Sequence, residues 1–207
     1  DGKPDAVFGP ATSMNGSTSA NAAIPVRRLT MSLAAQPPVG VFLDLAVLAA
    51  APPRMIRSGL GDSLCRSTAQ ADWLLAHLLR GEPYREAPFA LLASDEPALL
   101  AESGAVVRGD RAAVAGLART LILSGFGMAI CGGSYPASQG EHLISHYADM
   151  LGDPGLPPSL HGEQVGVATL AMAALQGEIL AGAAPVIGPT RVEEPALIGH
   201  FGPALGP

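Results

Sequence analysis

The sequence is poor in aromatic residues and in cysteine. Only 4% of its 207 residues are aromatic, although 48% are hydrophobic. The core must therefore consist mainly of alanine, leucine, valine and isoleucine, and such small side chains favour closely packed helices. The two cysteines, Cys65 and Cys131, are too few for a disulfide framework. We expect both to be small buried side chains in a cytoplasmic protein, where thiols stay reduced.

Runs of positive charge and unbroken apolar stretches are also missing. The formal net charge is −6, and the 12 basic residues do not cluster, which excludes a basic nucleic-acid-binding face. The longest apolar region, residues 165–188, is interrupted by Gln176 and Glu178. A membrane-spanning helix needs about 20 predominantly apolar residues. We therefore expect a buried core helix in this region and no membrane span.

Proline and glycine divide the rest of the chain into a short first part and a long helical part. Residues 1 to about 26 are rich in small polar residues and predict a surface loop. Apolar β-formers predict a buried strand over residues 39–45, and residues 27–31 fit a second strand or a hairpin arm. After Pro53 the apolar spacing is helical. The sequence thus predicts a mainly α fold with two parts, loop and short strands over residues 1–52 and an all-helical domain over residues 53–207. The predicted helices cover about residues 63–79, 83–103, 110–130, 138–151, 159–180 and 191–200.

The helical part contains a group of histidines with the spacing of a metal or substrate site. His142 and His146 are four residues apart and share one face of a helix, and His161 opens the next predicted helix. A catalytic zinc site commonly uses three protein ligands and leaves one position open. His142 and His161 are the imidazole candidates, and Asp62, at the head of a predicted helix, is the carboxylate we favour.

Each of these residues also has an ordinary structural interpretation. Asp62 could be a first-turn acid favoured by the helix dipole, and His146 could be a core histidine. Neither a CxxC pair nor an HExxH motif is present. The turn at residues 132–134 offers a different site, because a Gly-Gly-Ser turn before a helix can hold an anion at the helix N-terminus. It could equally be a connector.

Several motifs resemble those of sn-glycerol-1-phosphate dehydrogenases. This family lies in the superfamily of glycerol dehydrogenase, iron-containing alcohol dehydrogenases and dehydroquinate synthase. The loop Ser13-Met14-Asn15-Gly16 resembles the Ser-Met-Asp-Gly loop of that family. The remaining motifs follow in the order of the family: Gly59-Leu60-Gly61-Asp62-Ser63-Leu64, Ala71-Asp72-Trp73, Leu75-Ala76-His77, the run from Pro136 to His146, and His161-Gly162-Glu163-Gln164-Val165-Gly166.

The resemblance implies a metal site and a cofactor. The metal ligands of the family fall on Asp62, His142 and His161, which usually hold zinc and in some members nickel or iron. His146 matches a second histidine that contacts substrate or relays a proton. The loop near the N-terminus lies where nicotinamide and substrate meet in the family. Its residues here are Thr12, Ser13, Asn15 and Ser19.

The resemblance also implies a reaction, a hydride transfer between a polyol or glycerol phosphate and NAD(P). Members of the family carry an N-terminal nucleotide-binding α/β domain with a Gly-Gly-Gly-Ser-like loop, which nothing in this chain matches. We therefore expect the chain to be the C-terminal part of a larger enzyme, inactive alone, with the strands near Val39 left from the missing domain. The expected partners are a small-molecule polyol or sugar phosphate and further copies in a homo-oligomer.

Two positions differ from the family and keep other functions open. Asn15 replaces an aspartate, and Tyr135 stands where an arginine is common. An amide cannot act as a base, and the loss of a cation weakens a phosphate site. The first alternative is a dehydroquinate synthase-like cyclase or lyase acting on a sugar phosphate. The second is a non-catalytic helical module that binds metal.

Overall fold

The chain forms two compact units, residues 1–175 and residues 176–207. The computed structural model describes residues 5–26, 29–151, 155, 157–189 and 192–202. The second unit contains the last turns of one long helix and a further short helix. The predicted boundary at residue 52 separates loop and strands from helices, so it does not coincide with this division and stays a prediction.

Most of the described chain is helical, which confirms the predicted mainly α class. The helices are α1 (Leu45–Ala49), α2 (Pro53–Leu64), α3 (Arg66–Arg80), α4 (Ala87–Ala90), α5 (Asp95–Ala101), α6 (Ser103–Val107), α7 (Arg111–Cys131), α8 (Gly140–Leu151), α9 (His161–Ala181) and α10 (Glu194–Phe201).

The strands precede the helices and form two separate pairs. Strands β2 (Asn21–Val26) and β3 (Leu29–Ala34) form an antiparallel hairpin, so the predicted loop up to residue 26 ends in a strand. Strands β1 (Ala6–Phe8) and β4 (Gly40–Phe42) pair in parallel. The rings of Phe8 and Phe42 stack with centroids 4.8 Å apart. Phe8 is 74% exposed and Phe42 is 55% exposed.

Asp44 shortens the predicted strand over residues 39–45. Its carboxylate accepts hydrogen bonds from the amides of Ala46, at 2.8 Å, and Val47, at 3.3 Å. This is N-cap geometry, and it starts α1 where the run of apolar β-formers had predicted continued extended structure. The prediction was wrong here because a local side-chain bond to the backbone outweighed β-propensity.

The core lies around α7, which packs against α1, α2, α5 and α6. Its centre is formed by fully buried residues of three helices, Leu48 of α1, Val106 of α6, and Val114 and Leu117 of α7. Aromatic residues are absent from this cluster. Small aliphatic side chains therefore fill the helix interfaces, as the composition predicted.

Asp110 begins α7 as predicted. Its Oδ1 accepts the amides of Ala112 and Ala113, both at 3.0 Å. We expect Asp110→Ala to lower the free energy of unfolding by about 1 kcal/mol, because these amides lose their partner. Asp110→Asn, which keeps an acceptor oxygen, should change it by a few tenths at most. Urea unfolding of the two variants measures the difference, and equal losses would contradict this explanation.

The helix predicted over residues 63–79 is two helices in the structure. Helix α2 ends at Leu64 and α3 begins at Arg66, with Cys65 between them in helical conformation. Gly81, with φ of 73°, ends α3 as predicted. Asp62 therefore lies in the last turn of α2 and not at the head of a helix. Its interpretation as a first-turn acid was wrong.

Helix α9 differs from the buried core helix predicted over residues 165–188. It ends at Ala181, and after Thr169 its side chains are half-exposed or exposed. By length and composition alone, α7 and α9 could each cross a membrane. Of the most apolar stretch of α7, 50% is buried by the rest of the protein, whereas only 17% of the most apolar stretch of α9 is buried. Helix α7 is thus the core helix, and an apolar face of α9 including Val167 and Leu170 is open.

Candidate metal centre

Three helices bring Asp62, His142 and His161 together. Asp62 lies in the last turn of α2, His142 in the first turn of α8, and His161 is the first residue of α9. The Oδ1 atom of Asp62 is 3.6 Å from Nε2 of His142 and 3.7 Å from Nε2 of His161. Asp62 is fully buried, His142 nearly so, and 28% of the His161 side chain is exposed.

The donor atoms at this site fit a divalent metal ion. One ligand atom from each of the three residues lies within 4.8 Å of the others. Ligand atoms about 2.0–2.2 Å from a tetrahedral zinc ion are themselves about 3.4 Å apart, close to the two distances found. The buried Oδ1 of Asp62 has no hydrogen-bond partner among the described residues. A buried carboxylate oxygen without a partner is costly, and a cation would satisfy it.

The second oxygen of Asp62 is held by the loop that precedes β2. The amide of Asn15 donates to Oδ2 at 2.9 Å. The side-chain amide of Asn15 instead points at Ser124 of α7, with Nδ2 3.5 Å from Oγ. Asn15 thus reaches the site through its backbone and orients Asp62, so that Oδ1 faces the two imidazoles.

His146 lies one turn beyond His142 on α8. Its ring centroid is 6.2 Å from that of His142 and 6.3 Å from that of His161. Burial lowers the pKa of His146, and the nearby charges of His142 and His161 lower it further. A neutral, half-buried imidazole beside the cluster can accept a proton.

Glu141 is a further residue of the site, which the sequence reasoning missed. It is fully buried, and its Oε1 lies 3.0 Å from Nδ1 of His142. Burial raises the pKa of Glu141, but hydrogen bonds from His142 and from the amide of Gln139 outweigh burial, so the pKa lies below its usual value. The sequence did contain a signal for Glu141. A metal-binding histidine almost always donates the N–H of its other ring nitrogen to an acceptor, and Glu141 is the sequence neighbour of His142.

His142 lies between two carboxylates. Burial lowers its pKa, but hydrogen bonding and charge from Asp62 and Glu141 outweigh burial and raise the pKa to about 9. Without a metal, His142 therefore carries a proton at neutral pH. A metal ligand must be deprotonated, so metal binding at this site releases that proton.

The other predicted loop residues are Thr12, Ser13 and Ser19. Thr12 is buried, and its Oγ1 has no hydrogen-bond partner among the described residues. The carbonyl oxygen of Ser13 accepts a bond from the hydroxyl of Ser58 at 3.4 Å. Ser19 is buried, and its Oγ accepts the amide of Asn21 at 3.1 Å. The structure thus places these three residues on one loop with Asn15, and their contact with a cofactor stays a prediction.

Two glycines allow α2 and α9 to touch through their backbones. A methyl group on Gly61 would overlap the carbonyl oxygen of Gly162, and one on Gly162 would overlap that of Ser58. This close crossing joins the residue before Asp62 to the residue after His161. It is the packing contact that brings these two side chains together.

The turn at residues 132–134 is not a helix N-terminus. Gly132, with φ of 67°, caps the C-terminus of α7, and α8 begins only at Gly140. At the start of α8, Glu141 accepts the amide of Gln139 and Asp72 accepts that of Gly140. The anion-binding interpretation of this turn was wrong, because it is a C-cap.

Tyr135 has a packing role in that turn. Its ring stacks on Trp73 with centroids 5.9 Å apart and planes 18° from parallel. Trp73 also contacts the rings of Tyr84 and Phe89. These residues form an aromatic cluster apart from the aliphatic core.

The fold is that of about half of a glycerol dehydrogenase. A probable glycerol dehydrogenase from Sinorhizobium meliloti superposes with a TM-score of 0.68 at 23% sequence identity, over 87% of this chain and 53% of that protein. Glycerol dehydrogenase from Schizosaccharomyces pombe gives 0.68 at 20% identity, over 84% and 45%. The class defined here is thus a helical domain of that fold, with an aspartate and two histidines gathered at one point.

Sequence comparison narrows this class. No protein-family model matches the sequence. The glycerol-1-phosphate dehydrogenase [NAD(P)+] of Pyrococcus horikoshii is 39% identical over 176 residues, which is 85% of this chain and 50% of that protein. The enzymes of the same name from Halalkalibacterium halodurans and Methanospirillum hungatei are 36% and 35% identical, over 84% and 93% of this chain and 44% and 54% of theirs. The predicted resemblance is confirmed: over the aligned residues the chain is homologous to glycerol-1-phosphate dehydrogenases, and it spans about half the length of these curated relatives.

Proposed function

We propose that this chain is the metal- and substrate-binding part of an NAD(P)-dependent dehydrogenase that acts on a polyol or glycerol phosphate. The observation that carries the proposal is the buried Oδ1 of Asp62, which accepts no hydrogen bond within the described part of the chain and faces Nε2 of both His142 and His161. The names of the relatives supply the substrate class and the nicotinamide cofactor.

The residues of the site suit a reversible conversion between an alcohol and a ketone. Asp62, His142 and His161 would hold the metal ion, most simply zinc, with nickel or iron as other choices. A bound divalent cation lowers the pKa of an alcohol oxygen and polarises a carbonyl group. His146 would accept the proton of the substrate hydroxyl, and the nicotinamide cofactor would supply the acceptor for the hydride that leaves the substrate carbon. Burial of Asp62 and His142 keeps water from that side of the site.

We also propose that residues 53–207 are the metal-binding domain and that residues 1–52 border a nucleotide-binding part. The support is the parallel pair β1 and β4, because parallel sheets normally have both faces covered whereas Phe8 is exposed. Thr12, Ser13 and Ser19 are proposed to contact the cofactor, and Asn15, whose side chain would have to turn away from Ser124, is proposed to contact the substrate. The free cysteines support a cytoplasmic location.

The activity test uses the longest polypeptide that contains this chain. We expect metal-dependent, reversible oxidation of glycerol 1-phosphate with NAD⁺ or NADP⁺, followed by nicotinamide absorbance. His146→Ala should lower kcat about a hundredfold or more, because it removes a general base, with metal content unchanged. His77→Ala on α3, an exposed histidine that bonds to the carbonyl oxygen of Glu82, is the matched control and should retain activity.

Other outcomes of this test identify the alternative functions. A carbocyclic product from a sugar phosphate with no net change in the nicotinamide would identify the cyclase, which the replacement of aspartate by Asn15 favours. Metal binding without turnover of either substrate class would identify the non-catalytic module. Full activity of His146→Ala would exclude His146 as the base.

A further inference from the structure

We propose that Glu141 is a positioning residue, which holds the imidazole of His142 so that Nε2 faces the metal site. This inference rests on the metal centre proposed above. It assigns a task to a buried carboxylate that is not itself one of the three ligands.

The geometry around Glu141 fixes the ring of His142. The Oε1 atom accepts the amide of Gln139 at 2.8 Å and lies 3.0 Å from Nδ1 of His142. The hydroxyl of Thr68 lies 3.4 Å from Oε2. A hydrogen on Nδ1 leaves the lone pair on Nε2, the nitrogen 3.6 Å from Oδ1 of Asp62. The backbone of the turn before α8 thus anchors the carboxylate, and the carboxylate selects the tautomer of the ring.

Helix capping alone does not account for a carboxylate at this place. The start of α8 already has Asp72, which accepts the amide of Gly140 at 3.1 Å. A carboxylate that only caps a helix can stay in water, whereas Glu141 is fully buried, which is costly without compensation.

A divalent cation would supply that compensation. Asp62 and Glu141 together bring two negative charges, and both residues are fully buried. With neutral imidazoles, a cation of charge +2 balances these two carboxylates. Acceptors of this kind behind a ligating histidine raise its basicity and typically change metal affinity by about 10- to 100-fold.

The test compares divalent-metal affinity in three proteins, by competition with a chromophoric chelator and with Co²⁺ or Zn²⁺ as the probe. Glu141→Gln keeps the shape of the side chain and an oxygen for both hydrogen bonds but removes the charge. We expect its affinity to fall about 10- to 100-fold, with an altered Co²⁺ absorption spectrum. Asp72→Asn removes a carboxylate from the same helix end and is the control. We expect its affinity and spectrum to match those of the unchanged protein.

A second variant separates position from charge. Glu141→Asp keeps the charge but is one methylene shorter, so it cannot reach both Gln139 and His142. We expect it to lose affinity as well, and wild-type affinity in this variant would overturn the positioning role. Equal losses in Glu141→Gln and Asp72→Asn would assign the effect to the helix end and overturn it too.

The two proposals fail in different ways. If the unchanged chain binds neither Co²⁺ nor Zn²⁺, the metal centre is wrong and the role of Glu141 falls with it. If the unchanged chain binds metal and both Glu141→Gln and Glu141→Asp bind it equally well with the same spectrum, only the role of Glu141 is wrong.

Discussion

Asp62→Asn is expected to lower the divalent-metal affinity of this chain by about a thousandfold, because one of three protein ligands is lost; the scale is taken from structural zinc sites in zinc-finger peptides, whose total binding free energy is about 10–16 kcal/mol. The reason is specific to the loop. The amide of Asn15 takes one side-chain oxygen of Asp62. In the variant it would take the only oxygen left, so an NH₂ group would face the two imidazoles. That group has no lone pair for a metal.

The measurement is metal content after gel filtration, followed by chelator competition. Asp44→Asn is the matched control. Asp44 caps α1 by accepting the amide of Ala46, and an asparagine caps a helix as well as an aspartate does. Its affinity should equal that of the unchanged chain. Wild-type affinity in Asp62→Asn would show that the metal lies elsewhere.

Gly162→Ala is expected to destabilise the fold by about 3 kcal/mol or more, at or above the upper end of overpacking costs. A methyl group there meets the backbone of Ser58, which cannot move as a side-chain tip can. Helix α9 must shift away from α2, and His161 shifts with it. We therefore expect weaker metal binding together with the loss in stability, measured by urea unfolding and chelator competition.

Gly177→Ala separates this effect from a general effect of glycine in a helix. Gly177 also lies inside α9, and no atom lies within 4 Å of the place where its methyl group would be. Alanine should be neutral there or stabilising by up to about 1 kcal/mol. If the two variants unfold at the same urea concentration, the contact between α2 and α9 does not limit stability.

Helix periodicity alone predicted part of the site. The spacing of His142 and His146 indicated a shared face, and both lie on α8 beside His161. The proximity of Asp62 could not come from spacing, because it depends on the crossing of α2 and α9, which are about a hundred residues apart in sequence. The sequence favoured Asp62 as the third ligand from its expected place at a helix start, and the family resemblance implied the same residue, but neither showed how it reaches the histidines.

The errors in the fold share one cause, which is that short-range patterns lack information about neighbours. Asp44 interrupts a run of β-formers, and its side chain rather than the run decides the structure. The apolar residues of α9 predicted burial, but hydropathy does not say whether a partner surface exists. The helix end near Gly81 and the helix start near Asp110 were predicted to within about a residue, because a cap depends on residues within one turn.

Glu141 shows the same limit on a smaller scale. Its neighbour His142 was singled out by spacing, but an acidic residue at the start of a helix is common and favourable. Burial distinguishes it from such residues, and burial depends on the packing of α8 against α3. A search for an acceptor next to each candidate ligand would have found it.

The hydrogen bond from Asn15 to Asp62 has a consequence for the choice of metal. The amide of Asn15 holds Oδ2, and Oδ1 is the oxygen that faces the two imidazoles, so the carboxylate is placed for monodentate ligation. Calcium sites commonly use six to eight oxygens and often a bidentate carboxylate. A site with two imidazole nitrogens and one oxygen instead suits the borderline-soft ions of the zinc type. The loop that precedes β2 would thereby favour such ions at the proposed metal centre, although it supplies none of the three proposed ligands.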